Sequence, residues 1–209
     1  MPVGPETVRE GEVALAAERA RGEAVLRALA GRRSMARLDT EAAVPSEAVE
    51  RALELAVLAP NHHMTQPWRF TVVSGDARRR AGEALADEAV AQGRIAADRA
   101  PLEASKWLRA PIVVAVSHTP ADNPVTRLED RLACGAAIEN LLLALEAQGL
   151  GAMWRTGASV ASAAVKTVLG LDPGDEILAF VYVGQRLADA PLPPRRRRAA
   201  REVTRWLDA

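Results

Sequence analysis

The sequence predicts a single domain in which α-helices and β-strands pack in layers. The chain has 209 residues, which is enough to bury a core and lies near the usual domain size of about 100 to 200 residues. Helix-like and strand-like segments alternate along it, and it shows no internal repeat. This alternation favours layers of helices and strands over a helical bundle or an all-β sandwich.

The first half of the chain is predicted to form three helices and one strand. A charged, alanine-rich helix covers 12–30 and ends at the glycine that follows. Ser46 is predicted to cap a second helix, in which apolar residues recur at helical spacing until Pro60 forbids continuation. The alternating residues of 68–73 predict a strand, and Asp76 is expected to cap the helix after it.

The second half is predicted to contain three strands and two helices. A continuous β-branched run over 112–117 predicts a strand that is covered on both faces. A helix over 127–148 is expected to end at Gly149 and to be buried centrally, because apolar residues occupy much of its circumference. These residues are Leu132, Ala136, Ile138, Leu141, Leu142 and Leu145. The remaining predicted elements are a strand over 152–155, a helix over 160–169 and a strand over 177–183.

Composition and charge exclude several classes of protein. Lys plus Arg and Asp plus Glu both number 27, so the chain has no net field that would gather nucleic acid. No segment approaches about 18 uninterrupted apolar residues, and the N-terminus lacks the apolar core of a secretory signal. The single cysteine, Cys134, suits a reducing cytoplasm, and its thiol is expected to be buried and structural. We therefore expect a soluble, cytoplasmic protein without nucleic-acid or membrane partners.

Both ends of the chain differ in composition from its middle. Residues 1–22 are predicted to be an N-terminal extension, either a surface helix or a flexible end, and residues 23–209 the domain. Within that domain, residues 185–209 form a tail rich in proline and arginine, without periodicity until 203–207. Such a tail cannot bury itself, and its apolar end favours a tail that lies across another surface.

The first of three polar loop segments follows the first helix. Arg32, Arg33 and Ser34 are adjacent there, with Arg37 close behind. Arginines beside a hydroxyl are good phosphate ligands, because the guanidinium group forms bidentate, charge-assisted hydrogen bonds. Taken alone, such a segment is more often a solvated basic end of a helix.

The second polar segment is a proline-framed loop, APNHHMTQPWRF, at residues 59–70. A metal site is disfavoured, because the adjacent His62 and His63 point apart and no cysteine or further histidine stands at ligand spacing. A loop with amide and imidazole groups that leads into an aromatic strand instead suits the hydrogen-bonding rim of a planar ligand.

The third polar segment is GLGAMWRTGA at residues 149–158. Its small residues permit close approach of the backbone, while Trp154, Arg155 and Thr156 offer an aromatic plate, a cation and a hydroxyl. An ordinary strand and turn is an equally good interpretation of this segment alone. The GxGxxG spacing of a Rossmann nicotinamide site is absent.

Together and in this order, the three segments resemble the nitroreductase family, in particular its minimal, short-chain bacterial branch. The pattern is an RRS near the end of the first helix, an APxH…QPWxF loop and strand, and a GxWRxG segment after a long central helix. The resemblance implies an α+β, nitroreductase-like fold, with a central mixed, mostly antiparallel sheet flanked by helices. It also implies a domain-swapped homodimer whose C-terminal tail crosses to the partner.

The resemblance further implies an FMN site at the subunit interface. In similar proteins the first motif binds the FMN phosphate and ribityl chain, the third borders the isoalloxazine ring, and the histidine of the second reaches FMN from the partner. The implied cofactor-binding residues are Arg32, Arg33, Ser34, Trp154, Arg155 and Thr156 of one subunit and His62 of the other. The tail's Arg195–Arg198 run would add basic contacts to the phosphate.

Two positions depart from the family's pattern. Many members carry Asn where this chain has Met64, so one polar contact to the flavin edge is expected to be missing. Some relatives carry Arg where Leu58 stands, so the phosphate is expected to depend more on Arg32 or on the tail. Both changes are expected to alter FMN affinity or redox potential without abolishing the site.

The function that the resemblance implies is an FMN-dependent NAD(P)H oxidoreductase. NADPH or NADH would give hydride to flavin N5, which would then reduce a small electrophilic acceptor (a nitroaromatic, quinone or similar) by two-electron ping-pong transfer. No catalytic side chain and no metal are expected. One alternative is a flavin-binding or flavin-processing protein on the same scaffold without nicotinamide-dependent turnover of an acceptor. Another is a nucleic-acid-associated protein that uses Arg195–Arg198, which the neutral net charge disfavours.

Overall fold

The computed structural model describes the backbone of residues 5–207 and, within it, the side chains of residues 16–207. The helices are α1 (Pro5–Gly31), α2 (Ser46–Ala56), α3 (Asp76–Ala91), α4 (Ala100–Ser105), α5 (Pro124–Ala147) and α6 (Ala163–Val168). The strands are β1 (Leu38–Asp39), β2 (Arg69–Ser74), β3 (Ile112–His118), β4 (Gly151–Arg155) and β5 (Glu176–Arg186). None of the described helices is both long and apolar enough to cross a membrane.

The strands form one sheet in the order β1-β5-β3-β2, with β4 also paired to β5. All four ladders between these strands are antiparallel. The one parallel pairing among the described residues is an isolated bridge between Ser34 and Ala152. The predicted α+β class with a mostly antiparallel sheet is therefore confirmed, and its mixed character rests on this bridge alone.

Helices cover both faces of the sheet. Because successive side chains of a strand point to opposite faces, Val114 and Val181 meet α2 and α5 on one face. On the other face, Val113 and Phe180 meet α3, α6 and the buried Trp107. This two-sided cover explains why every residue of β3 is buried, as its β-branched run predicts. Each large apolar side chain so buried stabilises the fold by roughly 1.5–3 kcal/mol.

Two predicted helix caps are wrong by one residue. Pro45 occupies the cap position of α2, so Ser46 is the first helical residue and its side chain makes no capping hydrogen bond. Gly75 occupies the cap position of α3 with φ of 52°, because the chain turns from β2 into α3 within a single residue. Asp76 is therefore inside the first turn, where its carboxylate pairs with Arg79 at 2.8 Å.

The other predicted elements are confirmed with altered bounds. The predicted helix over 160–169 is divided, because the Ser162 hydroxyl accepts a hydrogen bond from the Val165 N–H at 3.1 Å and starts α6 there. A separate 3₁₀ turn, Ala158–Ala161, precedes it. Two elements, β1 and α4, have no counterpart in the sequence prediction, since two and six residues are too short to show a period.

The long helix α5 is buried more extensively in its C-terminal half than in its N-terminal half. Asn123 caps its start by accepting hydrogen bonds from the next two free N–H groups, and Gly149 follows its end with φ of 78°, as predicted. Ile138 and Leu141 are completely buried. Leu132, which was predicted to be buried, is instead 65% exposed, because the apolar period of a helix does not reveal which surface covers each turn.

The single cysteine lies in this helix and is buried. Burial, aided by the nearby Asp130 carboxylate, raises the pKa of the Cys134 thiol to about 12. The thiol is therefore protonated and unreactive at neutral pH, as expected of a structural cysteine.

Candidate functional site

The first polar segment lies at the C-terminal end of α1. Arg33 donates hydrogen bonds to three carbonyls of that end, of which the Gly31 oxygen is nearest at 2.7 Å. Arg32 Nε donates to Glu139 Oε1 of α5 at 3.3 Å. Cations are favourable at this end of a helix, because its free carbonyls carry partial negative charge.

A backbone contact brings this segment to the third one. Ser34 pairs with Ala152 of β4, and the Met35 N–H donates to the Ala152 carbonyl at 2.9 Å. Gly151 makes room beside this contact, because a Cβ there would lie 2.5 Å from Leu38 Cδ2 and that side chain would have to move. Two segments far apart in sequence are thus joined through main-chain atoms.

The third segment places its side chains on both faces of the sheet. Trp154 stands opposite Val181, on the face that α2 and α5 cover, and is 38% exposed. Arg155 points to the other face, where its guanidinium carbon lies 5.3 Å from the centre of the Tyr182 ring. Burial raises the pKa of Tyr182, and the Arg155 charge opposes that rise. Thr156 is exposed just beyond the strand.

The second polar segment contacts the N-terminal half of α5, away from the other two polar segments. His62 Nδ1 is 2.9 Å from Glu129 Oε1, whereas Arg32 contacts Glu139, ten residues further along the same helix. At a rise of about 1.5 Å per residue, these two contacts are about 15 Å apart. The structure therefore brings Ser34 against Ala152, two residues before Trp154, but does not bring His62 to either segment within one chain.

A cleft of about 450 Å³ lies beside His62. Its lining includes Pro60, Asn61, Glu129, Leu132 and Ala136. The two positions that depart from the family's pattern lie on or near this loop, and both side chains are exposed: Met64 by 73% and Leu58 by 72%.

The tail also reaches the end of α1. Arg195 donates hydrogen bonds to the carbonyls of Leu29, at 3.2 Å, and Arg32. Desolvation lowers the pKa of Arg195, and so do the charges of Arg33, Arg32 and Arg197. This contact lies within one chain, so the tail as far as Arg195 stays with its own α1.

These residues have the chemistry to hold a phosphorylated planar ligand. Arg32, Arg33 and Arg195 gather around one helix end, where Glu139 is the carboxylate that pairs with them among the described residues. Each guanidinium has five N–H donors, so the present bonds leave donors free for an anion. Three guanidinium groups against this one carboxylate leave an excess of positive charge at the helix end, which fits a phosphate dianion.

Three carboxylates that the sequence analysis did not single out support the predicted residues. Glu139 contacts Arg32, Glu129 contacts His62, and Asp130 accepts a hydrogen bond from Thr65 at 2.7 Å. In the sequence these carboxylates are visible only as acidic residues on a largely apolar helix. Their presence does not identify the partner of each carboxylate.

Comparison with known proteins identifies the family. The profile of the nitroreductase family matches residues 29–185. YdjA of Escherichia coli strain K12, which is named as an NAD(P)H nitroreductase, is 35% identical over 161 residues, covering 76% of this chain and 86% of that protein. A protein of Haemophilus influenzae with a similar name is 29% identical over 153 residues, covering 72% of this chain and 83% of that protein.

Solved structures agree with this result. A nitroreductase from Desulfovibrio desulfuricans in complex with FMN is 30% identical, with a TM-score of 0.66, and the match covers 86% of this chain and 94% of that one. A nitroreductase-like protein from Bacillus cereus is 23% identical but has a TM-score of 0.80 over 88% of this chain and 96% of that one, which shows the shared fold. The chain therefore belongs to the nitroreductase family, a family of FMN-dependent oxidoreductases.

Proposed function

We propose that this protein is an FMN-dependent NAD(P)H oxidoreductase that reduces a small electrophilic acceptor, such as a nitroaromatic or a quinone, by two-electron ping-pong transfer. The observation that carries the proposal is the contact between Ser34 and Ala152. It places a cluster of arginines beside an aromatic strand, and this combination suits a phosphorylated, planar cofactor.

In this proposal the end of α1 binds the FMN phosphate. Arg32 and Arg33 supply bidentate donors and Ser34 supplies a hydroxyl. Arg195 adds charge from the tail, since it already lies against the Arg32 carbonyl. Leu58 offers no cation, so these arginines carry the full charge of the phosphate contact.

The end of β4 borders the isoalloxazine ring. When bound, FMN supplies the hydride-accepting N5 atom, so no catalytic side chain is required. Trp154 excludes water from one side, and Thr156 offers a hydroxyl at the rim. Arg155 contributes positive charge from the opposite face of β4, where Tyr182 holds its guanidinium. That charge favours negative charge on the ring.

The site is completed by a second copy of the chain. His62 contacts α5 about 15 Å along the helix from the Arg32 contact and forms no hydrogen bond with the other two polar segments among the described residues, which supports a homodimer whose His62 comes from the partner. An exposed apolar row on α5 supports the same arrangement, because Val125, Leu128 and Leu132 are each more than half exposed. We propose that this row forms the subunit contact.

The tail is proposed to cross to the partner beyond Arg195. Its apolar residues Val203, Trp206 and Leu207 are 59%, 84% and 78% exposed, so the described chain leaves most of each side chain uncovered. We propose residues 23–209 as the domain and residues 1–22 as an extension. Helix α1 crosses that boundary without a break.

An absorbance spectrum of the purified protein tests the proposal first. We expect flavin bands, bleaching of those bands by NADPH or NADH without oxygen, and their return when a nitroaromatic or a quinone is added. Protein that is colourless, and stays so after incubation with FMN, would rule the proposal out. Bleaching without turnover of any acceptor would instead support a flavin-binding or flavin-processing role.

A further inference from the structure

The loop that carries His62 has a strained backbone. His63, Met64 and Gln66 have φ values of 53°, 55° and 45°, in the left-handed region that residues other than glycine seldom adopt. Such a backbone is destabilising and persists only where the surrounding structure holds it. The side chains of residues 62–66 are exposed, so burial of the loop does not hold this backbone in place.

Buried residues anchor both ends of the loop. Ala59 and Trp68, which flank it, are buried against Ala133, Cys134 and Ala137 of α5. The loop is therefore fixed at its base to a completely packed part of the helix. Its exposed middle must be held by other contacts.

Those contacts are hydrogen bonds and one stack of rings: the His62 and His63 side chains, which were expected to point apart, lie with their ring centroids 3.8 Å apart. Within the loop, Asn61 Oδ1 accepts a hydrogen bond from the Gln66 N–H at 3.0 Å. The Thr65 hydroxyl donates to the buried Asp130 of α5 at 2.7 Å. His62 Nδ1 lies 2.9 Å from Glu129 Oε1 on the same helix. A short exposed loop is thus fastened to α5 by two adjacent carboxylates.

The Glu129 contact determines which ring nitrogen of His62 carries the proton. An ionised carboxylate only accepts hydrogen bonds, so Nδ1 must be the protonated nitrogen. No described residue forms a hydrogen bond with Nε2 of this ring. In the neutral ring, Nε2 is a lone-pair acceptor, and Glu129 fixes both its chemical type and its direction.

We propose that Glu129 is a positioning residue that fixes His62 with Nε2 directed outward, as a ready hydrogen-bond acceptor for a flavin bound with a second copy of the chain. This inference rests on the proposed function. The groups that such an acceptor fits are the hydrogen-bond donors of FMN, which are the ring N–H and the ribityl hydroxyls. Because the Glu129 contact and the hydrogen bonds of the loop hold the ring before binding, the entropy cost of ordering it is met in folding rather than in FMN association.

The tautomer of His62 in the protein without flavin is the first test. In ¹⁵N NMR spectra, with the signal assigned by its loss in H62A, we expect the wild-type ring to be protonated at Nδ1. E129A should shift it toward protonation at Nε2. E129Q should retain the Nδ1 proton, since its amide oxygen still accepts. E54Q, which removes an exposed carboxylate paired with Arg51 on α2, is the matched control and should leave the spectrum unchanged.

FMN affinity is the second test. H62A and E129A should each weaken FMN binding about tenfold, the effect of losing one hydrogen bond of about 1.4 kcal/mol. The double variant should bind FMN as H62A does, because Glu129 acts through His62. E129Q should bind within about twofold of the wild type, and E54Q should match it.

Three results would overturn the proposal. These are a wild-type ring protonated at Nε2, losses of affinity that multiply in the double variant, and wild-type affinity in E129A. If E129A does not fold, E129Q decides, since a changed tautomer with unchanged FMN affinity, or a retained Nδ1 proton with weakened FMN binding, contradicts the proposal. A wild-type protein that binds no FMN would refute the proposed function, while the tautomer would still decide the role of Glu129.

Discussion

The two halves of α5 both carry leucines but differ in their surroundings. Ile138, Leu141 and Leu145 in the C-terminal half are completely buried against the sheet and α2. Leu128 and Leu132 in the N-terminal half are 56% and 65% exposed, and this half carries the carboxylates that hold the His62 loop. The leucines of the C-terminal half thus pack in the core of one chain. In the N-terminal half, as proposed, they form the subunit contact, and the neighbouring carboxylates serve ligand binding.

The largest predicted effect concerns the buried half. Leu141→Ala should lower the free energy of unfolding by about 2–5 kcal/mol, because it leaves a cavity in a fully packed region. Chemical denaturation monitored by circular dichroism measures this change. Leu132→Ala is the comparison variant. Its denaturation midpoint should rise toward the wild-type value as protein concentration rises, because the stability that it loses belongs to subunit association. A concentration-dependent midpoint for Leu141→Ala would contradict the division of the helix.

A charge in the exposed half should separate the subunits. Leu132→Glu is expected to yield a monomer with little bound FMN, because a carboxylate cannot be buried in an apolar contact without a partner. Sedimentation and the flavin absorbance measure the two losses together. Leu102→Glu is the matched control, since Leu102 is 53% exposed on α4. A Leu132→Glu protein that stays a yellow dimer would show that the subunit contact lies elsewhere.

Removal of the tail should have a related effect. A chain truncated after Pro194 loses Arg195 and the apolar residues near the C-terminus, so we expect it to be prone to form monomers and to lose FMN. Size-exclusion chromatography with absorbance detection reports both properties. An intact yellow dimer would show that the tail does not contribute to the interface.

The phosphate contact is predicted to be separable from the ring contact. Arg32→Ala should weaken FMN binding about tenfold or more, the effect of losing a charge-assisted hydrogen bond of about 1.5–3 kcal/mol. Binding of riboflavin, which has no phosphate, should change little. Fluorescence titration with both ligands makes the comparison, with Arg51→Ala on α2 as control. An equal loss for both ligands would contradict a phosphate role for Arg32.

The smallest predicted effect is on the pH dependence of stability, through Arg131 in the exposed half of α5. Hydrogen bonds from Arg131 and His118 outweigh desolvation and lower the pKa of Glu176. The stability that this carboxylate contributes is present above its unfolded pKa and is lost as pH falls through the lower folded pKa. Arg131→Met should therefore reduce the stability difference between about pH 7 and pH 3, by under about 1 kcal/mol because the pair is partly exposed. An unchanged difference in denaturation midpoints would contradict this role.

The sequence predicted the fold more completely than the site. Hydrophobic periods are local, so they located the long elements, whereas β1 and α4 were too short to show one. The motifs identified the residues around Arg32 and Trp154, which the structure brings together. Glu129 could not be paired with His62 in advance, because a contact between distant segments leaves no local pattern. The left-handed backbone of the loop was also invisible, since none of its residues is glycine.

The hydrogen bond from the Met35 N–H to the Ala152 carbonyl has a consequence for how this chain tolerates mutation. It joins the arginine cluster to the aromatic strand through atoms that every residue type except proline at position 35 supplies. The backbone itself therefore sets the distance between the arginine cluster and the aromatic strand. Most side-chain substitutions nearby leave that distance unchanged. In the proposed enzyme, mutation can vary which acceptor is reduced while the span available to the cofactor stays constant.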